Sequence, residues 1–242
     1  MGLDEIGLSD HYVLAPVARE LDWSIGLSGL GDYVQAVQSA AAEAGDKLAV
    51  RLGLEADFFP ETASALGNLL RMYPFDFVIG AVHFVDGFPI DESAENWERL
   101  GQKERDEIMR GYWVRVGEMA KSGLFDFAAH LDLSKRYGFR PSVDLAEEIS
   151  ATLNAIAQAD MAVEINTAGW YMPCAEIYPQ RSIIAECRRR GIPVLITADA
   201  HEPADLTRGF ERACGLLREL GYCETASYAS RRREMNTLAK AG

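Results

Sequence analysis

No stretch of the 242 residues approaches the roughly 18–20 consecutive apolar positions that a membrane-spanning helix needs. The N-terminus, running from Met1 through Asp10-His11, has no basic start and no long apolar core, so it does not read as a secretory signal. Cysteine is sparse: Cys174, Cys187, Cys214 and Cys223 form no C-x-x-C pair. They are expected to be free thiols of a cytoplasmic chain, two or three of them in helix cores. Positive charge is also scarce, with 24 Lys and Arg against 37 Asp and Glu and a net charge of −13. A chain this acidic repels a polyphosphate backbone, which argues against nucleic-acid binding. No Ser/Pro-rich linker, low-complexity tract or charge block divides it, so one domain is expected. Histidine is the scarcest chemistry-bearing residue, with four copies, three of which have an aspartate within two positions.

What is present is an ordinary globular composition, 48% apolar and 25% charged, which excludes disorder. Short apolar runs alternate with longer amphipathic stretches. Leu3–Leu8, Leu48–Leu54, Phe75–Val82, Phe125–Ala129, Met161–Ile165 and Pro193–Thr197 read as six buried strands. Helices are expected near 32–44, 61–72, 104–121, 143–159, 182–190 and 204–220, several of them stopped by glycine at 45, 123, 191 and 221. Val85–Asn96 reads as one long irregular connection. Strands alternating with helices imply parallel βα units, in a barrel or a doubly wound sheet.

In parallel α/β folds chemistry collects at the carboxyl ends of the strands. Every expected strand closes on residues able to bind metal or polar groups: Ser9-Asp10-His11, Gly53-Leu54-Glu55, Ala81-Val82-His83, His130-Leu131-Asp132, Glu164-Ile165-Asn166 and Asp199-Ala200-His201. All four histidines are used in this way, a placement that packing alone does not explain. Neutral imidazoles and carboxylates are ligands for zinc, manganese or iron. Grouped around a cup they point to a metal-assisted hydrolase.

These blocks resemble the polymerase-and-histidinol-phosphatase (PHP) superfamily, in the arm of histidinol-phosphate phosphatases. The matching pieces are Ser9-Asp10-His11, Gly53-Leu54-Glu55, Ala81-Val82-His83-Phe84, His130-Leu131-Asp132, Glu164-Ile165-Asn166-Thr167-Ala168-Gly169 followed by Glu176-Ile177-Tyr178-Pro179, and Asp199-Ala200-His201-Glu202-Pro203. Ala81 stands where the family usually has Ser. Ser230-Arg231-Arg232-Arg233 is similar to the family's Arg-rich ending. The resemblance implies a distorted seven-stranded (β/α) barrel holding up to three divalent ions, zinc, manganese or iron. In the family an H-x-H strand, a third His and a helix precede the S/T-D-H motif. This chain is therefore expected to lack its first strand and helix, roughly 25–30 residues, to have an open seam, and to be poorly stable and weakly active or inactive as it stands.

Carried over by residue, the resemblance implies that Glu55 bridges two ions, with His83 and His130 on one and Asp199 on the other. His11 and His201 would bind a third. Asp10 would orient His11 or a nearby water, and Asp10 or His201 would protonate the leaving alkoxide. Lys135, Arg136 and Arg208 are candidates for the substrate phosphate, or else solvated surface bases. Asn166 is a polar wall of the site or a loop-stabilising amide. Asp86 and Asp91 are candidates to pair with the substrate amine or imidazolium. Trp170-Tyr171, where a basic residue is often found in the family, would stack on an imidazole or cap the barrel. The implied activity is hydrolysis of L-histidinol phosphate. The alternatives are a PHP phosphoesterase acting on nucleotides or short oligonucleotides, and a non-catalytic barrel remnant that binds one ion through Glu55, His83 and His130 as a partner module.

Overall fold

The computed structural model of the chain describes residues 2–17 and 21–238. In chain order its elements are β1 (Glu5–Tyr12), α1 (Leu30–Ala44), β2 (Ala49–Asp57), α2 (Ala63–Leu70), β3 (Phe77–Ala81), β4 (Phe84–Val85), β5 (Phe88–Pro89), α3 (Ala94–Glu98), α4 (Gln102–Lys121), β6 (Phe127–Ala128), α5 (Ala146–Gln158), β7 (Ala162–Asn166), α6 (Arg181–Arg189), β8 (Val194–Thr197), α7 (Phe210–Glu219), β9 (Glu224–Ala229) and β10 (Arg232–Thr237). The six expected strands form one parallel sheet in the order β1-β2-β3-β6-β7-β8. It curls into a half-barrel of the α/β class.

The sheet sorts its side chains by the two-residue period of a strand. Leu52, Leu54 and Ala56 of β2, Val78 of β3 and Val163 and Ile165 of β7 face outward into the main core. There they meet Val34 and Val37 of α1, Leu66 of α2, Trp113 and Val116 of α4, and Leu153 and Ile156 of α5. The alternate positions Phe77, Ile79, Ala81, Phe127, Ala129 and Ala162 face inward and form a second, smaller cluster. Close approach dictates Gly53 on this inner face, because a Cβ there would sit 2.1 Å from the Phe77 ring. β1 and β8 are the two ends of the sheet, and a cavity of about 310 Å³ lined by both runs through the half-barrel.

Strand and helix boundaries move by a few residues from the sequence expectation, with consequences for the site. β1 continues through His11 and β2 through Glu55, so these ligand candidates lie on the last residues of strands. The helix expected over 204–220 begins only at Phe210. A 3-10 turn at Pro203–Asp205 and a left-handed Gly209 (φ 79) interrupt the path before it. The four expected glycine stops all have positive φ, between 55° and 83°. The connection after Val85 is more ordered than expected, containing the β4–β5 ribbon and α3, whose Ser93 side chain caps Asn96.

The Arg-rich stretch is the turn of a β9–β10 hairpin that the sequence reading did not contain. Ala226 and Tyr228 of β9 enter the inner cluster. Around the turn, Asp76 accepts hydrogen bonds from the Ser230 and Arg231 backbone, Arg231 pairs with Asp126, and Arg233 pairs with Asp160. The hairpin thus plugs the amino-terminal end of the sheet and leaves the carboxyl end open.

Candidate metal centre

At that open end Glu55 is the hub. One of its carboxylate oxygens, Oε1, lies 3.2 Å from His130 Nε2, 3.5 Å from His83 Nε2 and 3.7 Å from His11 Nδ1. Strand register explains the convergence: β1 and β2 pair with His11 opposite Glu55, and β2 and β3 pair with Glu55 opposite Ile79. His83 follows β3 and His130 follows β6, and the two ring centroids stand 5.0 Å apart. Ligand atoms of His11, Glu55 and His83 lie within 4.8 Å of one another, close enough to hold a metal ion.

The electrostatics favour a cation. Burial alone would raise the Glu55 pKa, but His130, His11 and His83 outweigh it and hold the carboxyl well below its usual range. Burial likewise opposes charge on His83, yet Asp57, Asp91 and Glu55 raise its pKa well above the ordinary value. His130 is raised in the same way against burial, chiefly by Glu55. The Nδ1 atoms of His11 and His130 are buried without a hydrogen-bond partner. A buried carboxylate ringed by imidazoles, with two ring nitrogens unsatisfied, fits a divalent ion better than it fits a closed hydrogen-bond network.

Two carboxylates support the histidines: Asp57, which escaped the sequence reading, and Glu164, which it placed at a strand end without a role of its own. Asp57 accepts from the His83 backbone N–H and meets His83 Nδ1, both at 2.9 Å, which orients Nε2 toward Glu55. Glu164 accepts from the His130 backbone at 2.6 Å and from the Thr197 hydroxyl at 2.7 Å. Burial pushes its carboxyl up to about 7, with Asp199 and Glu55 adding to the rise against His130. The signal was present for both: Glu55 and Asp57, like Glu164 and Asn166, are two apart on a strand and share a face.

The remaining candidates divide. His201 reaches the cluster, its ring 6.1 Å from that of His11, and its Nδ1 meets the Asp199 carbonyl at 3.0 Å. Asn166 donates to Asp199 and Glu164 while its oxygen caps the Ala168 N–H, so it is at once a site-edge amide and a loop brace. Asp10 turns its carboxylate onto the His11 backbone N–H. Asp91 acts electrostatically on His83, whereas Asp86 is drawn away to Arg115.

Of the three bases, Lys135 departs from both sequence readings. Lys135 is buried rather than solvated, and its Nζ donates to Asp132 and to the Ile177 carbonyl, at 2.9 and 2.8 Å. Arg136 lies over the Tyr137 ring. Arg208 pairs with Asp205 and covers Tyr171, while Arg212 sits 4.0 Å from the Trp170 ring centre. Trp170 and Tyr171 therefore each carry an arginine over the ring, Arg212 from α7 and Arg208 from the segment before it, while Tyr171 stays exposed. The cysteines are free, with Cys174 and Cys187 buried.

Residues 1–168 match the PHP domain family. The chain is 35% identical over 224 residues to a Deinococcus radiodurans protein named probable histidinol-phosphatase, covering 91% of this chain and 83% of that one. It is 25% identical over 241 residues to the histidinol-phosphatase of Lactococcus lactis subsp. lactis, covering 97% and 87% of the two chains. In fold it is similar to the crystal structure of histidinol phosphate phosphatase from that organism, complexed with zinc, L-histidinol and phosphate. The TM-score is 0.78 at 23% identity, with 96% of this chain and 88% of that one covered. The match over residues 1–168 and the 35% identity along nine-tenths of its length establish that the chain belongs to the PHP domain family.

Proposed function

We propose that this chain, as one PHP domain, is a metal-dependent phosphomonoester hydrolase that converts L-histidinol phosphate and water to L-histidinol and phosphate. The observation that carries the reading is the gathering of all four histidines of the chain around or beside Glu55 at the carboxyl end of the sheet. The names of the Deinococcus and Lactococcus relatives supply the substrate. No helix among the described residues is long and apolar enough to cross a membrane. The free cysteines support a cytoplasmic setting.

His11, Glu55, His83 and His130 would hold divalent metal, with Asp199 and His201 available for a further ion. Zinc is favoured by the Lactococcus complex, manganese and iron by the same donor chemistry. Bound there, the metal supplies Lewis acidity toward phosphoryl oxygens and water. Asp57 fixes the tautomer and direction of His83, and Asp10 fixes the end of β1 on which His11 stands. In the reaction water oxygen forms a new bond to phosphorus, the ester P–O bond breaks, and the histidinol oxygen takes up a proton. Where no further ion takes its Nε2, His201 is the candidate donor of that proton: its side chain is 72% exposed, and with Nδ1 on the Asp199 carbonyl only Nε2 is left to face substrate. Arg136 and Arg208 remain candidates for the phosphate, and Asp91 for the substrate amine. Lys135 acts by fixing the loop after His130.

The test is phosphate release by the purified chain, loaded with zinc or manganese, from L-histidinol phosphate and from nucleoside monophosphates. Preferential turnover of histidinol phosphate is expected. Equal or faster turnover of the nucleotides would replace this substrate with another of the same chemical class.

A further inference from the structure

Trp23 was not among the candidate residues, yet its indole lies against the metal cluster. Its ring centroid is 5.2 Å from that of His11 and 5.6 Å from that of His83, edge-on to both. It stacks on Phe84 at 6.2 Å with an interplanar angle of 15°, and Phe84 in turn stacks on Phe59 at 6.0 Å. Trp23 nevertheless remains 39% exposed. A large aromatic side chain supported from behind by two phenyl rings, wall to a cluster of metal-binding groups and open to solvent, is poised to receive another flat ring. Trp170, the aromatic first considered for such a role, is instead covered by Arg212.

We infer that Trp23 is the platform on which the imidazole ring of the substrate stacks, and that it selects among phosphomonoesters by this contact. The inference rests on the proposed histidinol-phosphate activity and deepens it. Covalent geometry sets the reach. Five bonds separate phosphorus from the first ring carbon of histidinol phosphate, roughly 6 Å in extended form. With the phosphoryl group at the cluster that Trp23 adjoins, that length is enough to bring the imidazole against the indole. A protonated imidazole would add cation–π attraction to stacking. Asp91, whose charge reaches His83 from the segment after β5, places a carboxylate near the same region.

The experiment is calorimetric binding of L-histidinol, and separately of inorganic phosphate, to the metal-loaded full chain and to Trp23→Ala, Trp23→Phe and Trp23→Leu, each checked by thermal melting. Trp23→Ala is expected to weaken histidinol about tenfold and leave phosphate within about twofold. Trp23→Phe should retain most of the histidinol affinity, and Trp23→Leu should lose it like Ala. Equal weakening of histidinol and phosphate, no weakening of either, or full affinity in Trp23→Leu would each overturn the platform, the last by reducing Trp23 to apolar cover. If the unmodified protein binds phosphate but not histidinol, the substrate reading itself falls and the platform falls with it. If the protein binds histidinol and Trp23→Ala binds it equally well, only the platform falls.

Discussion

Asp126 and Glu55 are carboxylates at opposite ends of the same sheet, and their surroundings diverge. At the base, Asp126 accepts the Val78 N–H at 2.7 Å and pairs with Arg231, whose guanidinium also donates to the Leu124 carbonyl at 2.7 Å. Burial raises the Asp126 pKa even against that arginine. At the mouth, Glu55 is buried as deeply or more so, yet three imidazoles hold its pKa well below normal. The base gives Asp126 one fixed cation, Arg231, and closes Asp76 off with backbone hydrogen bonds. The mouth gathers titratable rings around one carboxylate and leaves two ring nitrogens without a partner. Charge alone therefore does not mark the site; the convergence of three imidazoles on one buried carboxylate oxygen does.

Substitutions at the two ends should separate accordingly. The largest effect is expected of Glu55→Gln, which removes the shared ligand: steady-state turnover should fall at least about 100-fold, with the melting temperature of the metal-free protein unchanged or raised. Asp57→Asn leaves every ligand in place but loosens His83, and should weaken metal binding about 10–100-fold in a competition titration with a chelating dye. Arg231→Met acts on the base only. It should cost about 1–2 kcal/mol of stability in urea unfolding, because the pair is half-buried, and leave kcat/KM of the metal-loaded protein unaltered. A parallel loss of metal affinity would show that base and mouth are coupled.

The smallest expected effect lies outside both ends, on α6. There Arg189 and Arg190 hydrogen-bond Glu186 and lower its pKa to about 2. A depressed carboxylate stabilises the fold above its unfolded pKa and loses that contribution as pH falls toward the folded value. Thermal melting between about pH 6 and about pH 3 should accordingly decline less steeply in Glu186→Gln than in the unmodified chain.

The mouth was largely legible in the sequence because strand ends concentrate polar ligands against an apolar background: His11, Glu55, His83 and His130 stand out where the apolar runs stop. Asp57 was legible in principle through its spacing from Glu55, but it falls beyond the apolar run that marked the strand. The base was not legible. β9 and β10 bury little besides Ala226 and Tyr228, so no alternation announces them. The buried state of Lys135 depends on Asp132 and on a carbonyl at Ile177, 42 positions away, which no local pattern records. Trp23 lies in a turn-rich stretch after β1, and only the tertiary path brings it back to His11 and His83.

The β9–β10 hairpin also orders events in time. Its bonds reach from Tyr228 back to Asp126, from Arg231 to Leu124 and from Ser230 to Asp76, sequence separations of 102, 107 and 154 residues. Loop closures of that length are slow to form and come after local structure. During synthesis the inward-facing Phe77 and Phe127 emerge long before the residues that cover them. Until the hairpin docks, this chain carries an adhesive apolar patch, so growth temperature and chaperone supply should govern its soluble yield more than the stability of the finished fold.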